Sequence, residues 1–596
     1  MKKKLAEIIQ KTALDLFKIE EVDFAPVKYA KGGARPVESQ GEAEPIQQGR
    51  QFNGVNVEYP KDEKFGDYAT NVALVLAKKV GKSPMEIAES LKSKVQTQQS
   101  LEFGKIEVAA PGYINFYLSE KYLQDKVAEI NREKENFGTA DKKTEKIMVE
   151  YSQPNTHKEF HIGHLRNVMI GSALIETLKK ANYNVVSANY IGDTGSHIAK
   201  CLWGIEKFHA EENLDAIENK AEFLGKTYTE AVQAIEKNPE YEKDFKDLQN
   251  KFDQGNPDIM NLWKKTRQWS LDEFQSIYEL LGAYFDVYFY ESEEEISGKK
   301  IVPELLEKKV VEKSEGAIIA NLEKYGLGVL VLVRKDGSAL YGLKDIPLAI
   351  KKFEKFGIDT SIYLIDIRQS LYFKQLFKIL ELYGFHKKMV HIGYEFVALK
   401  GGEGMSSRKG NVILARKLID SIVEEVRVKF PNSPDPLPIA LGALKFTMLK
   451  YATSSKIEFD INESVKLDGV TGPYVQYAHA RICSIVRKAQ ETITKAQDTN
   501  EADLSLLTHE KELSLIRELN KFPELVEELA QSYEVHKLPY YAIKLADKFH
   551  SFYNDCKVLD EDNLALTGAR LNLINAVRIV LAETLRLIGV SAPDKM

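Results

Sequence analysis

Cysteine is scarce. Three occur in 596 residues, at 201, 483 and 556, isolated and odd in number. That excludes a disulfide framework and a zinc knuckle and points to a reducing compartment. Long apolar runs are also lacking. The nearest, 574–590, is interrupted by Arg578, Glu583 and Arg586, short of the roughly 20 apolar residues that cross a bilayer. The start, Met1-Lys2-Lys3-Lys4, has the charge of a signal peptide without the apolar block that must follow. Instead Leu5, Ile8, Ile9, Ala13, Leu16 and Phe17 recur at helical spacing. These features predict a soluble, cytoplasmic chain with no membrane partner. Positive charge is not in excess either: 82 Lys and Arg against 88 Asp and Glu leave a net charge of −6. No general basic field draws in a polyanion, so any nucleic-acid contact must be a local patch. What the chain has is length. Cores rarely grow beyond roughly 250–300 residues, so three or more domains are expected.

Residues 1–120 read as a first, α+β unit. Helical periodicity runs to about residue 20, and a Gly-, Gln- and Glu-rich stretch at 32–53 reads as a mobile loop. Helices follow, with Ser83-Pro84 as a helix start, then two strands around Pro111-Gly112 within 106–118. Residues 121–145 form a helical linker. From 146 to 413, strands alternate with helices: 147–151 and 185–191 flank a helix at 165–181, a βαβ unit that implies a parallel sheet. Charged helical sequence at 205–280 predicts an insertion extending to about 327. The strand pattern resumes at 329–333, 362–365 and 390–394. A connecting helical segment, 414–460, leads to an all-α bundle at 461–596. The fold class is therefore α/β multidomain: a Rossmann-like parallel-sheet domain with a helical insertion, an α+β N-terminal domain and an all-α C-terminal bundle.

The most informative segment runs from Glu150 through Ser152, Asn155, His157 and Lys158 to His161, Gly163, His164 and Arg166. It lies where the first strand of the βαβ unit ends and its helix begins. Ligands bind at that edge of a parallel sheet, and free helix N–H groups favour phosphate. Gly163 removes a side chain where an adenine or ribose would approach. His161 and His164 can donate hydrogen bonds to phosphate oxygens, stabilising the charge that builds up in transfer at the α-phosphate. Two rivals remain at this point: a histidine pair that only caps the helix, and a zinc site made with His157. The strand-to-helix position, with Gly163 and Lys158, favours nucleotide.

The string Ser152-x-Pro154-Asn155-x-x-Lys158-x-x-His161-x-Gly163-His164-x-Arg166 resembles the arginyl-tRNA synthetase family. His161-Ile162-Gly163-His164 matches the HIGH motif of class I aminoacyl-tRNA synthetases. The resemblance extends over nearly the whole chain. Phe65-Gly66-Asp67-Tyr68-x-Thr70-Asn71 and Pro111-Gly112-Tyr113-Ile114-Asn115 resemble the family's N-terminal tRNA-binding domain. Asp468-Gly469-x-x-Gly472-Pro473-Tyr474-x-Gln476-Tyr477-x-x-x-Arg481 resembles the entry to its anticodon-binding bundle, and Pro593-Asp594-Lys595-Met596 its ending. The KMSKS-like loop reads Gly404-Met405-Ser406-Ser407-Arg408-Lys409-Gly410, with Gly404 and Ser407 at the two lysine positions. The resemblance implies ATP binding by His161, Gly163, His164, Met405, Ser406, Ser407 and Lys409. Lys409 then meets the leaving pyrophosphate with Lys158 as helper, and no protein-held metal is expected.

For arginine, the resemblance implies Tyr341, Asp345 and Glu291 at the guanidinium, a planar fork that carboxylates meet bidentately. Glu150, Asn155 and Gln369 would hold the amino and carboxyl ends, and Ser152 is a further arginine-binding residue that the resemblance implies. Tyr372 stands where many relatives carry His. For RNA, 469–490 contains no acid. Tyr474, Tyr477 and Arg481 share one helix face, with Val475, Ala478, Ile482 and Ile485 on the buried one; Tyr113 and Asn115 would meet a base in the tRNA corner. The expected activity is a two-step ligation of L-arginine to tRNA(Arg) through an arginyl-adenylate. Mg²⁺ would neutralise the ATP charge, activation would need bound tRNA, and the enzyme would act as a monomer. The competing readings are a nucleotidylyltransferase and an inactive RNA-binding paralogue.

Overall fold

The computed structural model describes residues 1–19, 55–97, 102–335, 337–338, 340–401, 413–493 and 502–596. These form two compact units. One combines 1–140 with 481–533 and 544–583; the other combines 141–480 with 534–543 and 584–596.

The second unit holds a five-stranded sheet. Along the chain run β1 (Lys146–Glu150), α1 (Ile162–Lys180), β2 (Asn184–Ile191) and α2 (Ser196–Phe208). Then come α3 (Lys220–Lys237), α4 (Glu240–Asp253), α5 (Pro257–Leu281), β3 (Val287–Tyr290) and α6 (Glu291–Glu307). The unit continues with α7 (Tyr341–Phe356), β4 (Thr360–Asp366), α8 (Ser370–Tyr383) and β5 (Lys388–Tyr394). The strand order is β5-β4-β1-β2-β3, and every pairing is parallel. From central β1 the chain steps outward one way through β2 and β3, then returns to the other side through β4 and β5. The order reverses between β1 and β4, and the carboxyl ends of these strands open onto the crevice where such sheets bind ligands. Met148 and Val149 of β1, and Ile362 and Leu364 of β4, are fully buried, as a sheet covered on both faces requires.

Two sequence expectations need correction. The run 329–333 does not resume this sheet. It closes a separate antiparallel sheet with Glu312–Ser314 and Ala317–Asn321. All five residues of Val329–Val333 are apolar, which mimics a buried parallel strand, yet Val329 and Val331 are exposed on one face while Leu332 is buried on the other. The missing fifth strand is β3. Its four residues, inside the stretch read as helical insertion, are too few to register as periodicity.

The first unit has helices Lys2–Phe17, Val72–Val80, Pro84–Thr97 and Glu120–Glu133 beside a three-stranded antiparallel sheet centred on Tyr113–Leu118. The stretch 32–53 lies outside the described residues. This unit also includes helices Glu510–Leu519 and Phe522–Ser532 and most of Leu564–Leu587. The last corrects the view that no stretch approaches bilayer length: an 18-residue window has mean hydropathy 1.4, enough by length and composition, and half of that window is buried. Ala569, Leu573, Ile574, Val577 and Leu581 are each inaccessible, so its apolar character serves a protein core.

Candidate active site

Between β1 and α1 the chain bends through left-handed backbone at Ser152 (φ 75°), Gln153 (φ 46°) and His157 (φ 60°). Such conformations persist when their surroundings over-determine them. Here each amide is held by a side chain: Ser152 N–H by Asn167 Oδ1 at 2.6 Å, Gln153 N–H by Asn189 Oδ1 at 3.1 Å, and His157 N–H by Ser270 Oγ at 3.0 Å. The Ser152 hydroxyl pairs with that of Tyr278 at 2.7 Å and is buried, so the residue braces the loop. His157 is also buried. Its two ring nitrogens lie 3.1 Å from Thr156 Oγ1 and 2.8 Å from Thr266 Oγ1, which leaves none for the zinc site weighed above.

His161 and His164 form a reciprocal cap, which is why α1 starts three residues earlier than its periodicity suggests. Gly163 N–H donates to His161 Nδ1 at 3.1 Å, and His161 N–H donates to His164 Nδ1 at 3.2 Å. The rings stack with centroids 3.8 Å apart. A Cβ at residue 163 would sit 3.0 Å from the His161 ring, so glycine is what lets the imidazole lie over the helix start. Burial pulls the His161 pKa down to about 4 and that of His164 well below the ordinary value. Both are therefore neutral at pH 7. Because each Nδ1 accepts, each proton resides on Nε2. The result is two N–H donors at a helix N-terminus, where the backbone itself favours an anion.

Farther along α1, Arg166 is fully buried with no carboxylate partner among the described residues. Its guanidinium donates to the carbonyls of Glu395, Ser455 at 2.9 Å and Ala452 at 3.0 Å. These flank the parallel pair Val397–Leu399 and Ile457–Phe459, so the arginine ties the histidine-bearing helix to the strand preceding the KMSKS-like loop. Met405, Ser406, Ser407 and Lys409 of that loop lie outside the described residues. Lys158 places its ammonium 5.6 Å over the Tyr228 ring. It lines a cavity of about 1040 Å³ with His197, Lys200, Trp263 and Arg334 among its walls.

The opposite side of the crevice is acidic. Glu150 ends β1, Glu291 begins α6 and Asp345 lies in the second turn of α7; these three carboxylates each act on the ionisation of the Tyr190 hydroxyl, raising its pKa further above that set by burial. Glu150 and Glu291 have buried cations. Lys352 Nζ lies 2.5 Å from Glu150 Oε2, and Lys344 Nζ lies 3.2 Å from Glu291 Oε1. Burial alone would lower the Lys352 pKa, but Glu150, Tyr363 and Asp345 together raise it. Asp345 instead accepts from the Tyr372 hydroxyl, which gives that residue a role. Burial pushes the Asp345 pKa up to about 7, with Glu150 and Glu291 adding to the rise and Tyr372 and Lys352 opposing it. Asn155 and Glu291 converge over Gly192: a Cβ there would meet Asn155 Oδ1 at 2.2 Å and Glu291 Oε2 at 3.6 Å.

The crevice thus gathers Glu150, Asn155, Glu291 and Asp345. Tyr341 is the first residue of α7, though its side chain lies outside the description. Gln369 is exposed just before α8 and is not brought into the acidic group. Sequence reasoning missed Lys344 and Lys352. The signal was present: Tyr341, Asp345, Leu348 and Lys352 follow i, i+4, i+7, i+11, one face of a helix. In the first unit, Asn115 is 5% exposed on the central strand. On helix Gly472–Ile493, Tyr477 is exposed and Tyr474 half-buried, with Val475, Ala478 and Ile482 fully buried as predicted. Arg481 stacks its guanidinium 4.5 Å over Tyr553.

Three family models match the chain: tRNA synthetases class I (R), catalytic domain, at 126–434; DALR anticodon binding domain at 475–596; and arginyl tRNA synthetase N terminal domain at 41–118. An arginine–tRNA ligase of Bdellovibrio bacteriovorus is 34% identical over 90% of this chain and 93% of its own length. One of Clostridioides difficile is 33% identical over 91% and 95%. The solved arginyl-tRNA synthetase of Thermus thermophilus aligns with a TM-score of 0.80 over the whole of both chains at 24% identity. That of Plasmodium falciparum aligns at 0.78 and 22%, over 100% of this chain and 99% of its own. At those identities the structural likeness bears on the fold.

Proposed function

Because this chain belongs to the class I arginyl-tRNA synthetase family, we propose that it joins L-arginine to tRNA(Arg) with ATP in the crevice just described. In the first step the arginine carboxylate attacks the α-phosphorus of ATP, and pyrophosphate leaves. The Nε2–H groups of His161 and His164 and the start of α1 hold the phosphate oxygens. Being neutral, they supply directed hydrogen bonds, while Lys158 and Lys409 supply charge. In the second step a ribose hydroxyl of the terminal adenosine attacks the activated carbonyl and AMP leaves. No residue need act as a nucleophile; catalysis is positioning and electrostatics.

Selection of arginine rests on one observation above all: Asp345 is hydrogen-bonded by a neutral hydroxyl and lies near Glu150 and Glu291, which have lysines of their own. Among the described residues no cation is hydrogen-bonded to Asp345, so the substrate guanidinium would supply that charge with paired donors, with Glu291 beside it. Asn155 and Glu150 would hold the α-amino end. Mg²⁺ would arrive on the triphosphate. The described donors at the histidine end are imidazoles and amides, whereas a protein-held Mg²⁺ calls for carboxylates. Bound, the ion would neutralise phosphate charge. Tyr474, Tyr477 and Arg481 would meet the anticodon arm, and the enzyme would act as a cytoplasmic monomer whose activation step requires tRNA.

Charging of total tRNA with each labelled amino acid in turn tests the reading. Arginine alone should be esterified, and equal charging with lysine would refute the pocket. ATP–pyrophosphate exchange should appear only when tRNA is added; robust exchange without it would reject that dependence.

A further inference from the structure

Asp193 follows β2 by two residues and has no exposed surface. Its position is set by register. β2 pairs with β3 so that Ile191 faces Tyr290, which carries Asp193 to the level of Ser292, the second residue of α6. Tyr290 caps α6 with no side-chain hydrogen bond. Asp193 fills that place from the neighbouring strand: its Oδ1 accepts from Ser292 N–H at 2.8 Å, and its Oδ2 accepts from Ser292 Oγ at 2.8 Å. The charge is met from the helical insertion, where Arg267 Nε of α5 donates to Oδ2 at 2.7 Å. Arg267 is itself stacked over the rings of Tyr290 at 4.2 Å and Trp263 at 5.4 Å. The Trp263 indole N–H closes the group on the Asp193 carbonyl at 3.0 Å.

A carboxylate is what this place requires. Two donors from α6 and one cation converge on it, and an amide could offer a single acceptor oxygen and no charge. The residue between β3 and Ser292 is Glu291. Fixing the amide and hydroxyl of Ser292 fixes the turn that aims the Glu291 carboxylate across Gly192 toward Asn155. We infer that Asp193 is a positioning residue for arginine recognition, holding Glu291 through Ser292 and anchored to the insertion through Arg267. This rests on the reading that Glu291 meets the cationic substrate.

The test is a double-mutant cycle on the full-length protein, read as ATP–pyrophosphate exchange with tRNA present and arginine varied. E291Q should raise the arginine KM about tenfold or more. D193N should raise it about five- to tenfold while the ATP KM stays within about twofold, and the double variant should be no worse than E291Q alone within about twofold. If the two effects multiply, Asp193 does not act through Glu291 and the inference is overturned. If E291Q leaves the arginine KM unchanged, the reading of Glu291 itself fails, a distinguishable result. S292A, which removes one hydroxyl and keeps the ion pair, settles the case if D193N does not fold. It should raise the arginine KM about two- to fivefold in the parent and not in E291Q, and an equal effect in both backgrounds refutes the proposal. A merely structural role would lower active-enzyme yield in both backgrounds without moving the arginine KM.

Discussion

The two sides of the crevice solve opposite electrostatic problems with the same burial. At the histidine side, burial strips charge: among the described residues, His161 and His164 have backbone amides on their Nδ1 atoms, and both are held neutral. At the acidic side, burial is countered. Lys352 and Lys344 sit on Glu150 and Glu291, leaving Asp345 with a hydroxyl. A buried charge survives only with a partner. A site that must welcome a triphosphate keeps its fixed donors neutral, and one that must choose a cation leaves a single carboxylate short of one.

The comparison can be broken first by removing a cation. Lys352→Met would leave Glu150 buried without its partner, and should destabilise the protein by about 3–5 kcal/mol; chemical denaturation measures it, and a loss under 1 kcal/mol would mean the pair is not the neutralising element. Next, Asp345→Ala should cut kcat/KM for arginine about 10³-fold with ATP binding nearly unaltered. An equal loss toward ATP would show that the acid serves the fold as a whole. Third, His164→Ala should lower kcat about 10²-fold, the usual cost of removing a donor aimed at developing charge. The arginine KM should hardly move, since the imidazole sits on the other side.

The parts legible in the sequence are those whose geometry is local. The histidine pair and Gly163 form a cap within four residues, so their spacing and their place between a strand and a helix were both readable. The buried stripe of Val475, Ala478 and Ile482 follows helical periodicity and is found where expected. The acids were reached through the family strings, because one carboxylate among 88 has no local mark. Lys344 and Lys352 escaped for a related reason: lysines in a helix usually read as its wet face, whereas Lys352 reaches inward to Glu150 of β1 and the Tyr363 ring of β4. Asp193 depends on the register of β2 against β3, a strand too short to be noticed. Ser152 and Gln369 were placed by likeness of sequence; the Ser152 hydroxyl pairs with that of Tyr278 and Gln369 is exposed.

The most direct test of the contrast is the pH dependence of the two halves in one enzyme. Asp345 has its pKa pushed up to about 7, so its charge is present above that pH and lost as pH falls through it. The arginine KM should therefore rise about tenfold between pH 8 and pH 6, about one decade per pH unit once below the pKa. The histidines, already neutral, have nothing to lose over that range, so kcat at saturating arginine should stay within about twofold. A flat arginine KM with kcat falling toward pH 6 would place the titrating group on the histidine side and contradict the account.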